Sequence, residues 1–313
     1  MSKSRALVTG GAGFIGHHLA HRLVDRGYEV RVLDNFATGR RERLEDLDVE
    51  IVEGDLRSYE RAHTAVRGTE FVFHLGALPS VPRSMQDPLT TSAVNVEGTL
   101  NVLLAARDEG IRRVVFASSS SVYGANPALP KREDHQLLPV SPYGVSKVAA
   151  EHYCRAFTTV YGLETVSLRL FNVFGPGQDP LSQYAAVVPR FIAAFASGDP
   201  PVVYGDGLQT RDFTFVADVV EALSLAARGH AAGGEVFNIA AGTETSILEL
   251  IDVLGKIFGV PPECQFKPAR PGEVRHSRGD AAKARCILHW SPRSSLEEAL
   301  RMCISPMPEF ASR

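Results

Sequence analysis

The sequence contains few of the residues that mark a disulfide-stapled, metal-binding or membrane-inserted protein. Its 313 residues include four cysteines, which lie far apart without C-x-x-C spacing. Neither a disulfide framework nor a zinc site is therefore expected, and buried thiols are the default interpretation. No apolar run approaches the roughly 18 residues of a membrane span. Residues 1–4 are polar, and we see no apolar region of the kind found in a signal peptide. We therefore predict a cytoplasmic protein that has no metal and no membrane partner.

A surplus of basic charge is also missing. The formal net charge is −3 and the isoelectric point is about 6.4, so nothing in the charge balance favours a nucleic acid as partner. With 44% hydrophobic and 22% charged residues, the chain has the composition of a globular protein with a large core. Its length predicts roughly two domains.

Glycine is concentrated in one stretch near the N-terminus, residues 9–16, which read T-G-G-A-G-F-I-G. An apolar run of the kind that forms a buried strand precedes it, and apolar residues at helical spacing follow it. Gly10, Gly13 and Gly16, or Gly11 with the last two, fit a dinucleotide-binding turn. In such a turn the backbone lets a pyrophosphate approach the N-terminus of a helix, where free N–H groups favour anions.

A glycine motif alone is a weak signal, because ordinary turns are also rich in glycine. Asp34 strengthens it, since it ends a second apolar run 18 residues after Gly16. The dinucleotide fingerprint places an acid about 20 residues on, bonded to the ribose hydroxyls. Such an acid repels a 2′-phosphate and so predicts NAD over NADP, although Arg40 and Arg41 lie close enough in sequence to soften that preference.

Strands and helices alternate through residues 1–170. Apolar runs predict strands around residues 51, 72 and 115, and a helix is predicted from about Val94 to Arg107. This alternation predicts an α/β fold, a doubly wound parallel sheet covered on both faces. After residue 170 prolines interrupt the pattern. We therefore expect an NAD-binding domain over 1–170 and a smaller substrate-binding α/β lobe over 171–313, with some elements returning to the first domain.

Hydroxyl groups cluster at the end of the predicted strand near residue 115, where Ser118 begins a run of four serines. Farther on, Ser141 and a proline form a helix start. Tyr143 then lies in the first turn and Lys147 lies four residues later on the same face. A phenol has a pKa of about 10, and a nearby ammonium is expected to lower it. After a dinucleotide turn, this Y-x-x-x-K pattern indicates a proton-transfer device.

Together these motifs resemble the extended short-chain dehydrogenase/reductase family, specifically its UDP-hexose 4-epimerase branch. The similarity extends over nearly the whole chain and includes S-S-S-x-V-Y-G from Ser118, L-R-L-F-N-V-F-G-P from Leu168, G-D-G-x-Q-T-R-D-F from Gly205 and R-P-G-E-V-R-H-S from Arg270. Three positions depart from the family pattern: His17 stands for a serine, Gly76 for an alanine and Gly177 for a frequent arginine.

The resemblance implies a role for individual residues. Tyr143 would be the base, Lys147 its activator and ribose partner, and Ser119 the hydroxyl that bonds the sugar O4. NAD would be held by Gly10, Gly13, Phe14, Ile15, Gly16, Asp34, Asn35, Asp55, Leu56, Leu75, Ala77, Asn95, Ser118, Tyr143 and Lys147. The UDP-sugar would be bound by Ser80, Ser119, Ser120, Asn172, Gln178, Arg211, Arg270 and Ser277.

The implied reaction moves a hydride from sugar C4 to NAD and returns it to the other face of a 4-keto intermediate. A 4,6-dehydratase would carry an Asp-Glu pair where Ser120 and Ser121 stand. A UDP-glucuronate decarboxylase or epimerase and a 4-ketoreductase remain open alternatives. A non-catalytic NAD-binding sensor is the alternative of another class, although such proteins usually lose the Tyr/Lys pair.

The resemblance also bears on the sugar and on assembly. Ser277 falls at the position that gates the 2-substituent, where a tyrosine restricts the pocket and a small residue admits an N-acetyl group. Ser80, Arg83, Gln178 and the Y-A-A run at 184–186 point the same way. We therefore expect interconversion of UDP-GlcNAc and UDP-GalNAc, with UDP-Glc and UDP-Gal as further substrates. The family also implies a homodimer formed through a helix bundle.

Overall fold

Short apolar runs form a seven-stranded parallel sheet in the computed structural model, which describes residues 4–181, 186–229, 232–269 and 274–304. The central strands are buried on both faces, as expected of a parallel sheet covered by helices. The strands are β1 (Arg5–Thr9), β2 (Glu29–Asp34), β3 (Val49–Glu53), β4 (Phe71–His74), β5 (Arg113–Ser119), β6 (Glu164–Leu170) and, from the second half of the chain, β11 (Val236–Ile239).

The strand order is β3-β2-β1-β4-β5-β6-β11, with parallel pairing at each step. The chain first adds β2 and β3 on one side of β1, and then adds β4, β5 and β6 on its other side. The direction of the connections therefore reverses between the neighbouring strands β1 and β4. Such a switch point leaves a crevice beyond the C-terminal ends of these strands, and ligands of doubly wound sheets bind there. The predicted fold class is thereby confirmed.

Helices cover both faces of the sheet. On one face α1 packs against α8, and on the other α5 packs against α2 and α6. The helices are α1 (Phe14–Asp25), α2 (Tyr59–Val66), α3 (Val81–Gln86), α4 (Pro88–Ser92), α5 (Gly98–Asp108), α6 (Pro142–Tyr161), α7 (Val187–Ser197), α8 (Val216–Arg228), α9 (Ile247–Phe258) and α10 (Leu296–Ile304).

The second half of the chain contains short strands in three two-stranded pairs. Its helices α7, α9 and α10 pack on one another, whereas α8 and β11 return to the main sheet. The short strands are β7 (Val173–Phe174), β8 (Val202–Tyr204), β9 (Thr210–Arg211), β10 (Thr214–Phe215), β12 (Thr245–Ser246) and β13 (Gln265–Lys267). They pair as β7 with β10, β9 with β12 and β8 with β13.

The helix predicted from Val94 to Arg107 is present, and it begins as a π-helical turn over Ala93–Glu97 that continues into α5. A 3₁₀ turn at Arg41–Leu44 lies between β2 and β3. None of the helices in the described ranges is long and apolar enough to cross a membrane. Within the same ranges, no group of three or more His, Cys, Asp or Glu side chains could hold a metal ion.

Candidate active site

A cleft lies beyond the C-terminal ends of β1, β2, β4 and β5. Its volume is about 560 Å³, within the ~300–1,000 Å³ usual for small-molecule sites. It is lined by eighteen of the residues predicted from the sequence: Gly10, Gly13, Phe14, Ile15, Gly16, Asp34, Asn35, Asp55, Leu56, Leu75, Ala77, Ser118, Ser119, Ser120, Tyr143, Lys147, Asn172 and Gln178.

The glycine turn follows β1 and lines this cleft. Gly10 has a φ of +68°, which favours glycine, and a Cβ on Gly16 would lie only 2.1 Å from the Gly10 carbonyl oxygen. Gly13 is the N-cap of α1, and no side chain caps the helix or places an acid in its first turn. The first N–H groups of α1 therefore remain available to an anion. This cradle fits the diphosphate of a dinucleotide.

Acidic side chains at the ends of β2 and β3 flank the turn. The Asp34 carboxylate accepts hydrogen bonds from the Ala12 and Phe36 N–H groups at 3.0 and 2.8 Å. Burial raises the pKa of Asp34, while these backbone bonds act in the opposite direction. Asp55 pairs with Arg57, and this hydrogen bond lowers the pKa of Asp55 to about 2. Carboxylates in this position suit ribose hydroxyls and disfavour a 2′-phosphate.

The arginines expected to soften the preference for NAD are already paired. Arg40 bonds Asp179 at 2.5 Å, and Arg41 bonds Glu53 at 2.5 Å while its guanidinium covers the ring of Phe36 at 4.2 Å. Each guanidinium is thus paired with a carboxylate other than Asp34. We therefore no longer expect these arginines to offset the repulsion between Asp34 and a 2′-phosphate, and the preference for NAD stands.

Arg43 is a cleft residue that the sequence reasoning missed. It donates hydrogen bonds to the Ala12 and Gly177 carbonyl oxygens at 3.3 and 2.6 Å, and it lines the cleft beside the glycine turn. Burial lowers its pKa, which still leaves a cation. The sequence carries no signal for this role, because Arg43 is one basic residue in a polar segment. Its contact with Gly177 joins residues more than 130 positions apart.

Two departures from the family pattern lie side by side. A Cβ on Gly177 would be 3.5 Å from His17 Nε2, and His17 donates from Nδ1 to the Gly13 carbonyl at 2.9 Å. His18 donates to the Pro176 carbonyl, also at 2.9 Å. Both rings are half-buried. Burial and the neighbouring His18 lower the pKa of His17 to about 4.

The serine turn and the start of α6 also line the cleft. The Ser141 hydroxyl accepts from the Gly144 N–H at 3.1 Å, and a proline occupies the first turn of the helix, as predicted. A Cβ on Gly144 would be 2.8 Å from the Ser121 carbonyl oxygen. This close approach packs the first turn of α6 against the serines, so that Tyr143 and Ser119 line the same wall.

Tyr143 and Lys147 are both buried, and their contacts differ from the sequence expectation. Lys147 Nζ donates to the Ala117 carbonyl at 2.8 Å and lies 6.0 Å from the centre of the Tyr143 ring. Burial raises the pKa of Tyr143, and only the Ser119 hydroxyl acts to lower it. The prediction that the ammonium lowers this pKa is therefore wrong for this arrangement. Burial also lowers the pKa of Lys147 to about 8.

Four predicted residues in the described ranges lie outside the cleft wall. Asn95 is buried behind it and supports Leu78, whose N–H it accepts at 2.8 Å. Ser80 caps α3 between two residues that line the cleft. Arg211, on β9, donates to the Thr210 carbonyl at 2.8 Å. Ser277 is half-buried in the segment that follows residue 274.

Arg270, together with Tyr184 and Ala185 of the Y-A-A run, lies outside the described residues. The sugar- and diphosphate-binding roles assigned to these residues and to Ser80, Arg211 and Ser277 stay predictions.

The site thus combines a dinucleotide-type turn with a Ser/Tyr/Lys cluster, the arrangement of a short-chain dehydrogenase/reductase enzyme. Residues 6–240 match the model of the NAD dependent epimerase/dehydratase family. The chain is 42% identical over 306 residues to a UDP-glucose 4-epimerase of Mycolicibacterium smegmatis, covering 95% of this chain and 96% of the relative. The chain therefore belongs to this family.

Two other proteins are similar over almost the whole chain. A UDP-N-acetyl-alpha-D-glucosaminuronate decarboxylase of Bacillus cytotoxicus is 36% identical, covering 96% of this chain and 97% of the relative. The solved UDP-N-acetylglucosamine 4-epimerase from Methanobrevibacter ruminantium, in complex with UDP-N-acetylmuramic acid, has a TM-score of 0.92 at 36% identity and covers 97% of this chain and 98% of its own. The resemblance to the UDP-hexose 4-epimerase branch, the enzyme class and the NAD cofactor are confirmed.

Proposed function

We propose that this chain is a UDP-sugar 4-epimerase. The observation that carries the proposal is that Ser119, Tyr143 and Lys147 line the same cleft as the glycine turn. A nicotinamide dinucleotide lying along the cleft would leave the sugar beside the hydroxyl cluster. The proton of the O4 hydroxyl and the hydride on C4 could then be removed from neighbouring atoms in a fixed geometry.

The protein residues would position the sugar and move its proton. NAD, when bound, supplies hydride acceptance and return. Tyr143 takes the O4 proton at its phenolic oxygen and gives it back, while Ser119 holds the sugar oxygen. Tyr143 has to be a phenolate to accept the O4 proton. Burial raises its pKa, and the Ser119 hydroxyl, whose hydrogen bond favours the phenolate, opposes that shift. We therefore propose that Ser119 assists the base as well as holding the sugar.

A neutral hexose fits the lining of the cleft better than a uronate does. The cations among the cleft-lining residues are Arg40, Arg43 and Lys147. Arg40 is paired with Asp179, and the other two donate to backbone carbonyls. A buried carboxylate needs a cation or several donors of its own. This charge distribution favours epimerisation over the decarboxylation named for one relative.

For the sugar itself, we propose UDP-GlcNAc and UDP-GalNAc, with UDP-Glc and UDP-Gal as weaker substrates. Ser277 supports this as a small residue in a segment held next to β9, where the Thr210 N–H donates to the Arg275 carbonyl at 2.9 Å. Asn172 lines the cleft, and we propose that it binds the UDP diphosphate together with Arg211 and Arg270.

The function can be tested by incubating the protein with UDP-GlcNAc, UDP-Glc and UDP-GlcA separately, then resolving epimers and measuring released CO₂. Epimers of the two neutral sugars without added reductant are expected, with the acetylated pair faster. Release of CO₂ from the uronate would instead identify a decarboxylase. No turnover of any nucleotide sugar by protein that carries NAD would favour the sensor.

We further propose that the protein is a homodimer formed through α6. One face of this helix exposes Val145, Tyr153 and Val160, the last of which is 69% exposed. Leu89 on the neighbouring α4 is 83% exposed. Monomers seldom expose contiguous apolar surface of this kind. Light scattering should give twice the chain mass of 33.9 kDa.

The cytoplasmic location stays a prediction.

A further inference from the structure

A line of buried polar side chains begins at the floor of the cleft. The Ser118 hydroxyl donates to Glu151 at 2.5 Å, and the Glu151 carboxylate pairs with Arg169 at 2.8 Å. Both side chains of this ion pair are 5% exposed. Glu151 lies one helical turn after Lys147 on α6, and the Lys147 ammonium bonds the carbonyl of the residue before Ser118. The ion pair therefore supports the cleft floor from behind.

Tyr123 extends this line away from the cleft. Its hydroxyl accepts from Arg169 Nη1 at 2.9 Å and donates to Asn238 Oδ1 at 2.6 Å. The ring is 1% exposed and lies 4.9 Å from the Arg169 guanidinium carbon. A phenol has one proton to donate, so this hydroxyl is already engaged on both sides. Tyr123 does not line the cleft, and burial raises its pKa to about 12.

The line ends in the segment Arg278–Asp280 of the second half. Asn238 Nδ2 donates to the Lys131 and Asp280 carbonyls at 2.9 and 3.1 Å. The Lys131 N–H donates to the Arg278 carbonyl at 2.7 Å, and the Asp280 N–H donates back to Lys131 at 2.8 Å. Arg278 directly follows the residue predicted to face the sugar 2-substituent. One tyrosine oxygen thus lies between the cleft floor and this segment.

We propose that Tyr123 is a positioning residue, which holds the cleft floor and the segment Arg278–Asp280 in a fixed relative position. Each group in the line is buried, so an unmet donor or acceptor is expensive and the geometry is sharply defined. A small displacement between reacting groups costs much of the rate. The catalytic consequence rests on the proposed epimerase function, whereas the structural coupling does not.

Tyr123→Phe tests this, since it removes one oxygen and keeps the ring. We expect kcat/KM for the UDP-sugar to fall about tenfold or more, with the amount of bound NAD unchanged. Tyr59→Phe is the matched control, because the Tyr59 hydroxyl bonds the exposed Asp108 far from this line. The control should retain wild-type turnover. An unchanged kcat/KM in folded Tyr123→Phe would overturn the proposal.

A double-mutant cycle separates positioning from a general loss of stability. If Tyr123 acts through the Ser118 hydroxyl, then Tyr123→Phe should cost little more in a Ser118→Ala background. Changes at independent sites multiply their effects on kcat/KM. If kcat/KM of the double mutant instead falls by the product of the two single-mutant factors, the proposal is contradicted.

Hydrogen exchange provides a readout that does not depend on turnover. Tyr123→Phe should accelerate exchange in peptides covering 115–121 and 274–282 together, and acceleration on one side alone would argue against coupling. If the wild type turns over no UDP-sugar, the proposed function fails while this measurement still decides the coupling. Should Tyr123→Phe not fold, Glu133→Ala frees the Asn238 N–H that Glu133 accepts at 2.7 Å. We expect it to cause the same paired acceleration, with an about threefold loss of kcat/KM, and unaltered exchange would overturn the proposal.

Discussion

The cofactor side of the cleft and the segments after β6 hold their functional residues by different means. On the cofactor side the residues lie at strand ends, since Asp34 is the last residue of β2 and Asp55 lies two residues after β3. The sheet ladder and the helices satisfy most of the backbone there. After β6, the predicted substrate residues lie on two-residue strands and loops, which offer few ladder partners.

A buried carboxylate replaces the ladder on the substrate side. Asp212, which is 0% exposed, accepts from the N–H groups of Ala241, Gly242 and Gly279 at 2.8, 3.0 and 3.0 Å. It thereby fixes two loops around the segment that carries Ser277. Buried N–H groups of irregular backbone need such partners. Regular elements position the predicted cofactor residues, whereas a single side chain, that of Asp212, holds the segments that carry the predicted substrate residues.

The largest expected effect is at the point where the two sides meet. Tyr143→Phe should lower kcat about 10²–10⁴-fold, because the phenolic oxygen is the proposed base. Bound NAD and thermal stability should be retained. Steady-state turnover measures kcat, and the absorbance of released cofactor measures the bound NAD. Tyr161→Phe, at the exposed end of the same helix, is the control, and wild-type kcat in Tyr143→Phe would remove this tyrosine from the role.

The substrate side can be tested through Asp212. Burial raises its pKa to about 6, so the folded state binds this proton more tightly than the unfolded state does. Its contribution to stability is present below the unfolded pKa of about 4 and is lost as the pH rises through 6. Relative to Asp212→Asn, the wild type should lose up to about 3 kcal/mol of unfolding free energy between pH 4 and 7.

Urea unfolding of both proteins across this pH range measures the difference. Asp206→Asn serves as the control, since Asp206 is exposed and its hydrogen bond to Arg275 lowers its pKa. A pH-independent difference for Asp212→Asn would show that this carboxylate does not titrate in that window.

The cofactor side can be tested at Gly16. Gly16→Ala places a Cβ 2.1 Å from the Gly10 carbonyl oxygen, and the backbone must move to relieve it. Overpacking of this kind costs about 1–3 kcal/mol, and we expect NAD affinity to fall with the altered turn. Titration with NADH fluorescence measures the affinity. Gly27→Asn, in open space after α1, should bind NAD as the wild type does.

The smallest expected effect is one of selectivity. Ser277→Tyr should lower kcat/KM for UDP-GlcNAc by about tenfold or more relative to UDP-Glc, because an aromatic ring occupies the volume of the acetamido group. The ratio of the two values is the quantity to measure, and Ser277→Ala is the control. An unchanged ratio would contradict the gate while leaving the epimerase proposal intact.

Much of the cofactor side could be read from the sequence because its signals are local. A strand, a glycine turn and a helix occupy consecutive residues, and the acid follows the next strand. Tyr143 and Lys147 are one helical turn apart, so the helix start at Ser141 was enough to place them together. The capping box of α9, which joins Ser246 to Glu249, depends on neighbouring residues in the same way.

The electrostatics of the same residues depended on distant contacts. The pKa of Tyr143 is raised because other parts of the chain bury it, and Lys147 turns toward Ala117, 30 residues away. Likewise, the pairing of Arg40 with Asp179 joins residues 139 positions apart. A local pattern carries no information about such neighbours, so the expected effect of the ammonium on the phenol was wrong.

By itself, the sequence determined the fold class, the family and the residues that line the cleft on its cofactor side, since strand ends and helix starts are set by local periodicity and capping. Only the tertiary structure decided how deeply these groups are buried, what Tyr123 connects and which loops Asp212 joins. Those properties arise from burial and from hydrogen bonds between residues far apart in the chain, such as Tyr123 and Asn238, 115 positions apart.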